Sequence, residues 1–318
     1  MRVRHRLALV AAGTLLLATS AAVIATRRSA VEQHLRRVLA EALAAPCTFE
    51  RAEFGVLDGL RVHDLRVHDP DDPFGPPLVS VGDVRVDYHL GLLGGGPRIT
   101  SVILHGPRVR LRVGPDGTPA LARVLRTRAE PGAPPAALPT IRIFAGTLEI
   151  EGAPLLAAGR RVELRGIQAD VVAADGVIRV PRASATGTAV RGLTVSASSR
   201  EEGRLLEVSA RLEGVDVTAL RAAGIAAAAA RVLEAHDVTG GFDAEGTLRI
   251  EDGRIVDARG SADLRDVSLL FTVPESADTA PPEPLRVRID GVRAELSRGT
   301  VTLRGLAGEV LGAPLAAQ

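Results

Sequence analysis

From about residue 78 onward, stretch after stretch of this chain alternates apolar and polar residues. Leu206, Val208, Ala210 and Leu212 alternate with Glu207, Ser209, Arg211 and Glu213. Val256, Ala258, Gly260, Ala262 and Leu264 alternate with Asp257, Arg259, Ser261, Asp263 and Arg265, and Leu285, Val287 and Ile289 with Arg286, Arg288 and Asp290. Successive side chains of a strand point to opposite faces, so each stretch reads as a strand with one oily and one charged side. Many such strands in series make a sheet with a continuous apolar side, and either protein or lipid has to cover it.

Strands are expected near 48–54, 60–69, 78–90, 98–105, 107–113, 140–151, 161–173, 176–180, 192–199, 204–213, 241–251, 254–272, 285–296 and 299–310. Turn signals punctuate them: Gly114-Pro115-Asp116-Gly117, Asp175-Gly176, Glu251-Asp252-Gly253 and Asp290-Gly291. The apolar parity reverses across several glycines: Leu164 and Ile167 flank Gly166, and Ile289 and Val292 flank Gly291. Each reversal requires a turn or a bulge if the oily residues are to stay on one side. Residues 126–139 and 274–284 are proline-rich and read as surface loops. An alanine-rich stretch over about 218–235 reads as the one substantial internal helix. After residue 310, Gly312-Ala313-Pro314-Leu315 reads as a turn toward a further strand, so the sheet is expected to continue beyond Gln318.

Residues 7–25 form an uncharged run of 19, mostly Leu, Ala and Val. A bilayer-spanning helix needs about 20 such residues. Arg2, Arg4 and Arg6 precede the run, and Arg27 and Arg28 follow it. The alternative is a signal peptide cut near Ala18-Thr19-Ser20, but signal cores run to only about 15 residues. The length favours an uncleaved anchor with a short cytoplasmic amino end and the bulk of the chain exported. Residues 1–45 carry seven Arg against Glu32 and Glu41, a net +5, and the remainder is mildly acidic. Val31, Leu35, Val38, Leu39, Ala42 and Leu43 then mark an amphipathic helix, which either lies near the headgroups or packs into the following domain. The organisation expected is therefore an anchor over 1–28, a helix over 29–46, a first β-region over 47–125, a loop over 126–139 and a continuing β-region over 140–318.

Aromatic residues make up 2% of the chain, with no Trp, and there is no basic stripe, which argues against nucleic-acid binding. Every one of the 39 basic residues is Arg. Cys47 is the only cysteine, so no internal disulfide can form, and it reads as a small buried hydrophobe. Two His-Asp pairs, His63-Asp64 and His68-Asp69, invite a metal reading. On a regular strand, however, residues 63 and 68 fall on opposite faces, and no third ligand accompanies them. Gly91 to Gly96 lacks the Gly-Lys-Ser/Thr of a phosphate loop, and no serine has a Gly-x-Ser-x-Gly frame. The chain reads as non-enzymatic, with no metal or cofactor.

The order of these features is similar to that of the AsmA-like family of bacterial envelope proteins, which includes TamB-type and related bridge-like lipid-transfer proteins. The resemblance covers roughly residues 5–125. It rests on the amino-terminal span and following helix, then on Phe54-Gly55-Val56-Leu57-Asp58-Gly59-Leu60-Arg61-Val62 and Leu65-Arg66-Val67. It continues through Leu78-Val79-Ser80-Val81, Val84-Arg85-Val86, Leu92-Leu93-Gly94, Ile99-Thr100-Ser101-Val102, Leu104-His105-Gly106-Pro107-Arg108-Val109-Arg110-Leu111 and Asp116-Gly117. Many members follow that Asp-Gly with Trp-Asn, where this chain has Thr118-Pro119-Ala120.

The resemblance implies an elongated, twisted antiparallel β-sheet trough with one or two short helices. It would be anchored in the inner membrane, extend into the periplasm, and be linked to phospholipid transport and outer-membrane integrity. The partners expected are phospholipid acyl chains, the inner membrane and outer-membrane assembly proteins. Val84, Val86, Val109, Leu111, Ile141, Ile143, Leu206, Val208, Leu248, Ile250, Leu285, Val287 and Ile289 would line the groove. Taken alone, each of them is better accounted for by ordinary core packing in a closed sandwich, because alternation does not distinguish an open trough from a sealed one; the resemblance tips the balance toward a groove. A second functional reading is an assembly factor for outer-membrane proteins, pairing its exposed sheet edges with partner strands. The anchor reading predicts that protein isolated from membranes still carries residues 7–25; amino-terminal sequencing that finds a mature start near Ala21 would refute it.

Overall fold

A computed structural model describes residues 32–37, 39–40, 43–55, 59–89, 98–114, 119–124, 139–152, 156, 159–174, 177–200, 204–224, 235–252, 254–271, 285–297, 300–310 and 313–317. The expected span at 7–25, the Gly91–Gly96 turn, the loop at 274–284 and all but the last residue of the 126–139 loop lie outside these. No helix among the described residues is long and apolar enough to cross a membrane.

The described residues are mainly β, a single sheet of sixteen strands. In chain order the first six are β1 (Cys47–Thr48), β2 (Arg51–Gly55), β3 (Gly59–Val67), β4 (Val79–His89), β5 (Arg98–His105) and β6 (Arg108–Arg112). Then come β7 (Thr140–Glu151), β8 (Arg161–Ala174), β9 (Val177–Gly187), β10 (Val190–Arg200) and β11 (Leu205–Asp216). The last five are β12 (Thr239–Glu251), β13 (Arg254–Phe271), β14 (Leu285–Ser297), β15 (Thr300–Val310) and β16 (Ala313–Ala317). From β7 to β16 each strand pairs with the next, a plain meander. At the other end β1 and β2 both pair with β3, and β5 and β6 both lie between β4 and β7.

An all-antiparallel sheet is corrected in one place: β7 runs parallel to both β5 and β6. Gly106-Pro107 separates β5 from β6, and β7 passes along both without a break. A parallel pairing needs a crossover of a dozen or more residues, and the chain between β6 and β7 is long enough to supply one. Three local expectations also shift. β9 continues past Pro181 to Gly187, because the register slips between Ala169 and Val172 on its neighbour, a bulge that tolerates a residue with no N–H. Residues 313–317 form strand β16 rather than a turn. Of the alanine-rich helix, the described part is α1 (Val217–Ala222), started by the Asp216 carboxylate, which accepts from the Ala219 N–H at 2.9 Å; residues 225–234 lie outside the described residues.

The parity reversals are backbone kinks. Asp64, Ala145 and Asp266 adopt φ of +54°, +54° and +51°, and Gly166, Gly214 and Gly305 of +63°, +59° and +64°. Each lies between apolar residues of opposite parity: Val62 and Leu65, Ile143 and Leu148, Leu264 and Val267, Leu164 and Ile167, Leu212 and Val215, Leu303 and Leu306. The pairings Asp83↔His105, His105↔Phe144, Gly146↔Ile167, Leu212↔Ala244 and Arg265↔Gly291 place these kinks beside one another, so a crease crosses the sheet. A second slip lets Ile255 rather than Val256 face Ile250.

Packing is concentrated at the amino-terminal end. Ala52, Val62, Val81 and Val84 are buried together, and Leu35 of the helix at 32–40 packs on them. Ala45, Val67, Leu78, Ala120 and Val124 form an adjoining cluster, with Ala120 from a 3₁₀ turn at Ala120–Arg123 and Val124 from its C-cap. A third, smaller cluster joins Val217 of α1 to Val238 and Val267. The amphipathic helix is thus seen to pack on the sheet.

Gly59 and Gly166 separate strain from collision. A Cβ at Gly59 (φ +81°) would sit 2.3 Å from the Val86 carbonyl oxygen, whereas one at Gly166 (φ +63°) meets nothing within 4 Å. Gly166→Ala should cost about 1 kcal/mol, the left-handed penalty alone, and Gly59→Ala clearly more, read from urea midpoints. Equal costs would contradict the close approach of β3 to β4.

Candidate functional site

Paired residues in a ladder point to the same side, so the registers define the two faces of the sheet. Val84 faces Leu104, and Val86 faces Val102. Val102 and Leu104 lie beside Ile141 and Ile143, and Val109 and Leu111 beside Leu148 and Ile150. Further along, Leu206 faces Ile250 and Val208 faces Leu248. Phe242 faces Leu264; Val267, Leu269 and Phe271 face Ile289, Val287 and Leu285. Tracing the pairs strand to strand puts every residue expected to line a groove on one and the same face.

How that face is covered changes along the sheet. At β2 to β4 this chain covers it: Val84 is 6% exposed inside the amino-terminal cluster, and Val86 packs against it. These two positions are core, not open lining. From β7 onward α1 is the only described helix against the sheet, and it touches β11 and β12. Leu206, Val208, Leu248, Ile250, Val287 and Ile289 are half-buried by their neighbours. Toward the strand ends on the same face, Ile255, Val301 and Leu303 are 66%, 63% and 61% exposed. Leu296 and Ile178 add to this apolar surface. The slip at Ile250 takes Ile255 out of the alternation that starts at Val256, whereas Val301 and Leu303 alternate regularly with Thr300, Thr302 and Arg304.

The opposite face is a lattice of charge. Pairs two residues apart on one strand point the same way, and Arg51–Glu53, Arg85–Asp87, Arg211–Glu213 and Arg249–Glu251 all make ion pairs. Arg110 reaches across to Glu149 at 3.3 Å, both about a quarter exposed. Asp87 accepts from the Ser101 hydroxyl at 2.7 Å, which together with Arg85 holds its carboxyl below the usual carboxylate range. Solvated pairs such as Arg249–Glu251 contribute well under ~1 kcal/mol each; their role is to keep this face in water.

His63 belongs to the charged face, with Nδ1 3.5 Å from Asp83. His68 lies beyond β3, with Nδ1 3.1 Å from the Gly75 carbonyl. The two His-Asp pairs do not converge, and no group of three metal-ligating side chains gathers among the described residues.

Concavity and chemistry select different places. A shallow depression of about 710 Å³ crosses the charged face from β9 to β14, walled by Arg211, Glu245, Arg259, Arg293 and Glu295. A cavity of about 640 Å³ on the apolar face lies between α1 and strands β8, β10, β11 and β12. The first is larger but is lined by charges that water already satisfies. The apolar face has surface that water does not satisfy, and a contiguous exposed patch of that kind marks an interaction site. No family model and no curated protein matches this chain.

Thiol labelling tests the exposure. Burial pushes the Cys47 thiol up, and a Cys47→Ser background removes it altogether. In that background Val301→Cys and Leu303→Cys should react with a maleimide in the folded protein. Ala52→Cys, at a position 0% exposed, should stay protected until unfolding. Protection at 301 and 303 would mean that protein covers the face.

Proposed function

We propose that this chain is a non-enzymatic lipid-binding groove protein of the bacterial envelope. Its apolar face, from Val109, Leu111, Ile141 and Ile143 through Leu206, Val208, Leu248 and Ile250 to Leu285, Val287 and Ile289, takes phospholipid acyl chains. Residues 7–25 anchor it in the inner membrane, and the β-region extends into the periplasm as a trough that carries lipid toward the outer membrane. The observation that carries this reading is the apolar face itself, which runs across the described strands and which, among the described residues, only α1 covers from β7 onward. Leaving such a face in water forgoes about 25 cal/mol for every Å² that could be covered. Acyl chains cover it without demanding a partner of fixed shape. The resemblance to AsmA-like proteins over residues 5–125 points the same way.

Val208 and Val287 stand on separate strands of the face. Val208→Asp and Val287→Asp should leave the circular dichroism of the folded protein intact, lower the phospholipid that co-purifies with it, and fail to support envelope integrity. Arg286→Asp, on the charged face, should change neither much. In a sealed protein core an unpaired carboxylate costs several kcal/mol and would unfold the sheet. Unfolding of both Asp variants, together with lipid-free wild-type protein, would overturn the groove. Lipid-free protein that instead captures outer-membrane proteins along its sheet edges would favour the assembly-factor reading.

A further inference from the structure

The cavity of about 640 Å³ beneath α1 differs in kind from the rest of the apolar face. On the other strands from β7 onward, the described residues leave the face a single layer. Here Leu164, Leu193, Leu212 and Phe242 rise from β8, β10, β11 and β12, and a helix lies over them. Leu220 is the one large side chain that the helix brings to the hollow; Ala219, Ala222 and Ala223 beside it, and Ala189 before β10, leave space that leucines would fill. α1 is fixed in place, with Val217 buried against Val238 and Val267 and the Asp216 cap holding its first turn. The volume falls in the range of about 300–1,000 Å³ typical of small-ligand sites. Its lining is mostly apolar, and hydrocarbon covers such a surface better than water does. Polar lining is confined to Arg161, Glu163 and Thr188, and the Glu163 carboxylate is already engaged by Arg165 at 2.6 Å.

We infer that this cavity is a fixed seat for one unbranched aliphatic chain of an amphiphile, its polar end at the Arg161–Thr188 rim. The inference rests on the groove reading and adds to it a resting place: a chain under α1 is held, whereas chains on the open layer can slide. Both a free fatty acid and a phospholipid supply that chemistry.

The test uses the full chain with two photoreactive probes, a diazirine-bearing palmitic acid and a phosphatidylethanolamine carrying the same acyl chain. Peptide mass spectrometry then locates the crosslinks. The expected result is saturable labelling, one probe per chain, concentrated in residues 187–193, 212–223 and around Phe242. Which probe saturates at the lower concentration identifies the source of the chain. Ala219→Leu combined with Ala223→Leu fills the hollow with good helix formers and should abolish the saturable component. Ala258→Leu, on the open part of the same face, should leave it. Crosslinks spread evenly along the apolar face would overturn the seat and keep the groove, and the absence of any crosslink would overturn both. Wild-type labelling in a folded double-leucine variant also overturns the seat. If that variant fails to fold, the crosslink map of the wild-type protein decides.

Discussion

Everything in this structure depends on keeping apolar side chains on one side of a very long sheet. A strand alternates with strict period two, and twist accumulates from strand to strand, so a sheet of sixteen strands cannot stay flat. The crease resolves the conflict. A residue at positive φ, or a bulge, inverts the parity of the strand near its middle and lets it bend, and the sequence inverts its apolar pattern at the same place. Gly166 and Gly214 adopt that conformation freely. Asp64, Ala145 and Asp266 adopt it at a cost that the ladders on both sides of each kink must offset. Gly146, beside Ala145, shows how closely the fold is drawn there: a Cβ would meet Ile143, Ile167 and Pro107 at 3.1 to 3.3 Å.

The two faces then do different work. Arginines and acids two residues apart pair with each other on the charged face, so the sheet is soluble on that side without a large field of either sign. On the other face the amino-terminal strands are sealed by residues of the helix at 32–40 and the 3₁₀ turn, while among the described residues only α1 lies on the later strands. The apolar surface therefore has a closed end and an open stretch, with a roofed hollow at α1 between β8 and β12. Among the described residues no catalytic or metal-ligating group breaks that surface.

Much of this was legible in the chain because a strand's face assignment is local. Leu206, Val208, Leu248, Ile250, Val287 and Ile289 could each be placed from their neighbours alone, and the reversals at Gly166 and Gly291 announced the bulges that keep them together. What pairs with what is not local. The parallel alignment of β7 with β5 and β6 depends on where a crossover returns the chain, and no residue in β7 encodes it. The strand expected at 176–180 runs on through Pro181, which has no N–H to offer, because a bulge in the neighbouring strand makes room for it. That Val84 and Val86 belong to a packed core follows from Leu35 arriving from a helix some fifty residues away in sequence. The hollow beneath α1 follows from alanines brought together by the fold, which no single stretch reveals.

The central claim is that acyl chains, not protein, lie against the open stretch of the apolar face. Methyl NMR of the leucine and valine side chains, recorded with phospholipid carrying a nitroxide on the acyl chain, tests it most directly. The account predicts strong broadening of the methyls of Leu206, Val208, Leu248 and Val287, with those of Val62 and Val81 in the sealed core left sharp. Sharp signals at all of these positions, with contacts only to other protein methyls, would contradict it.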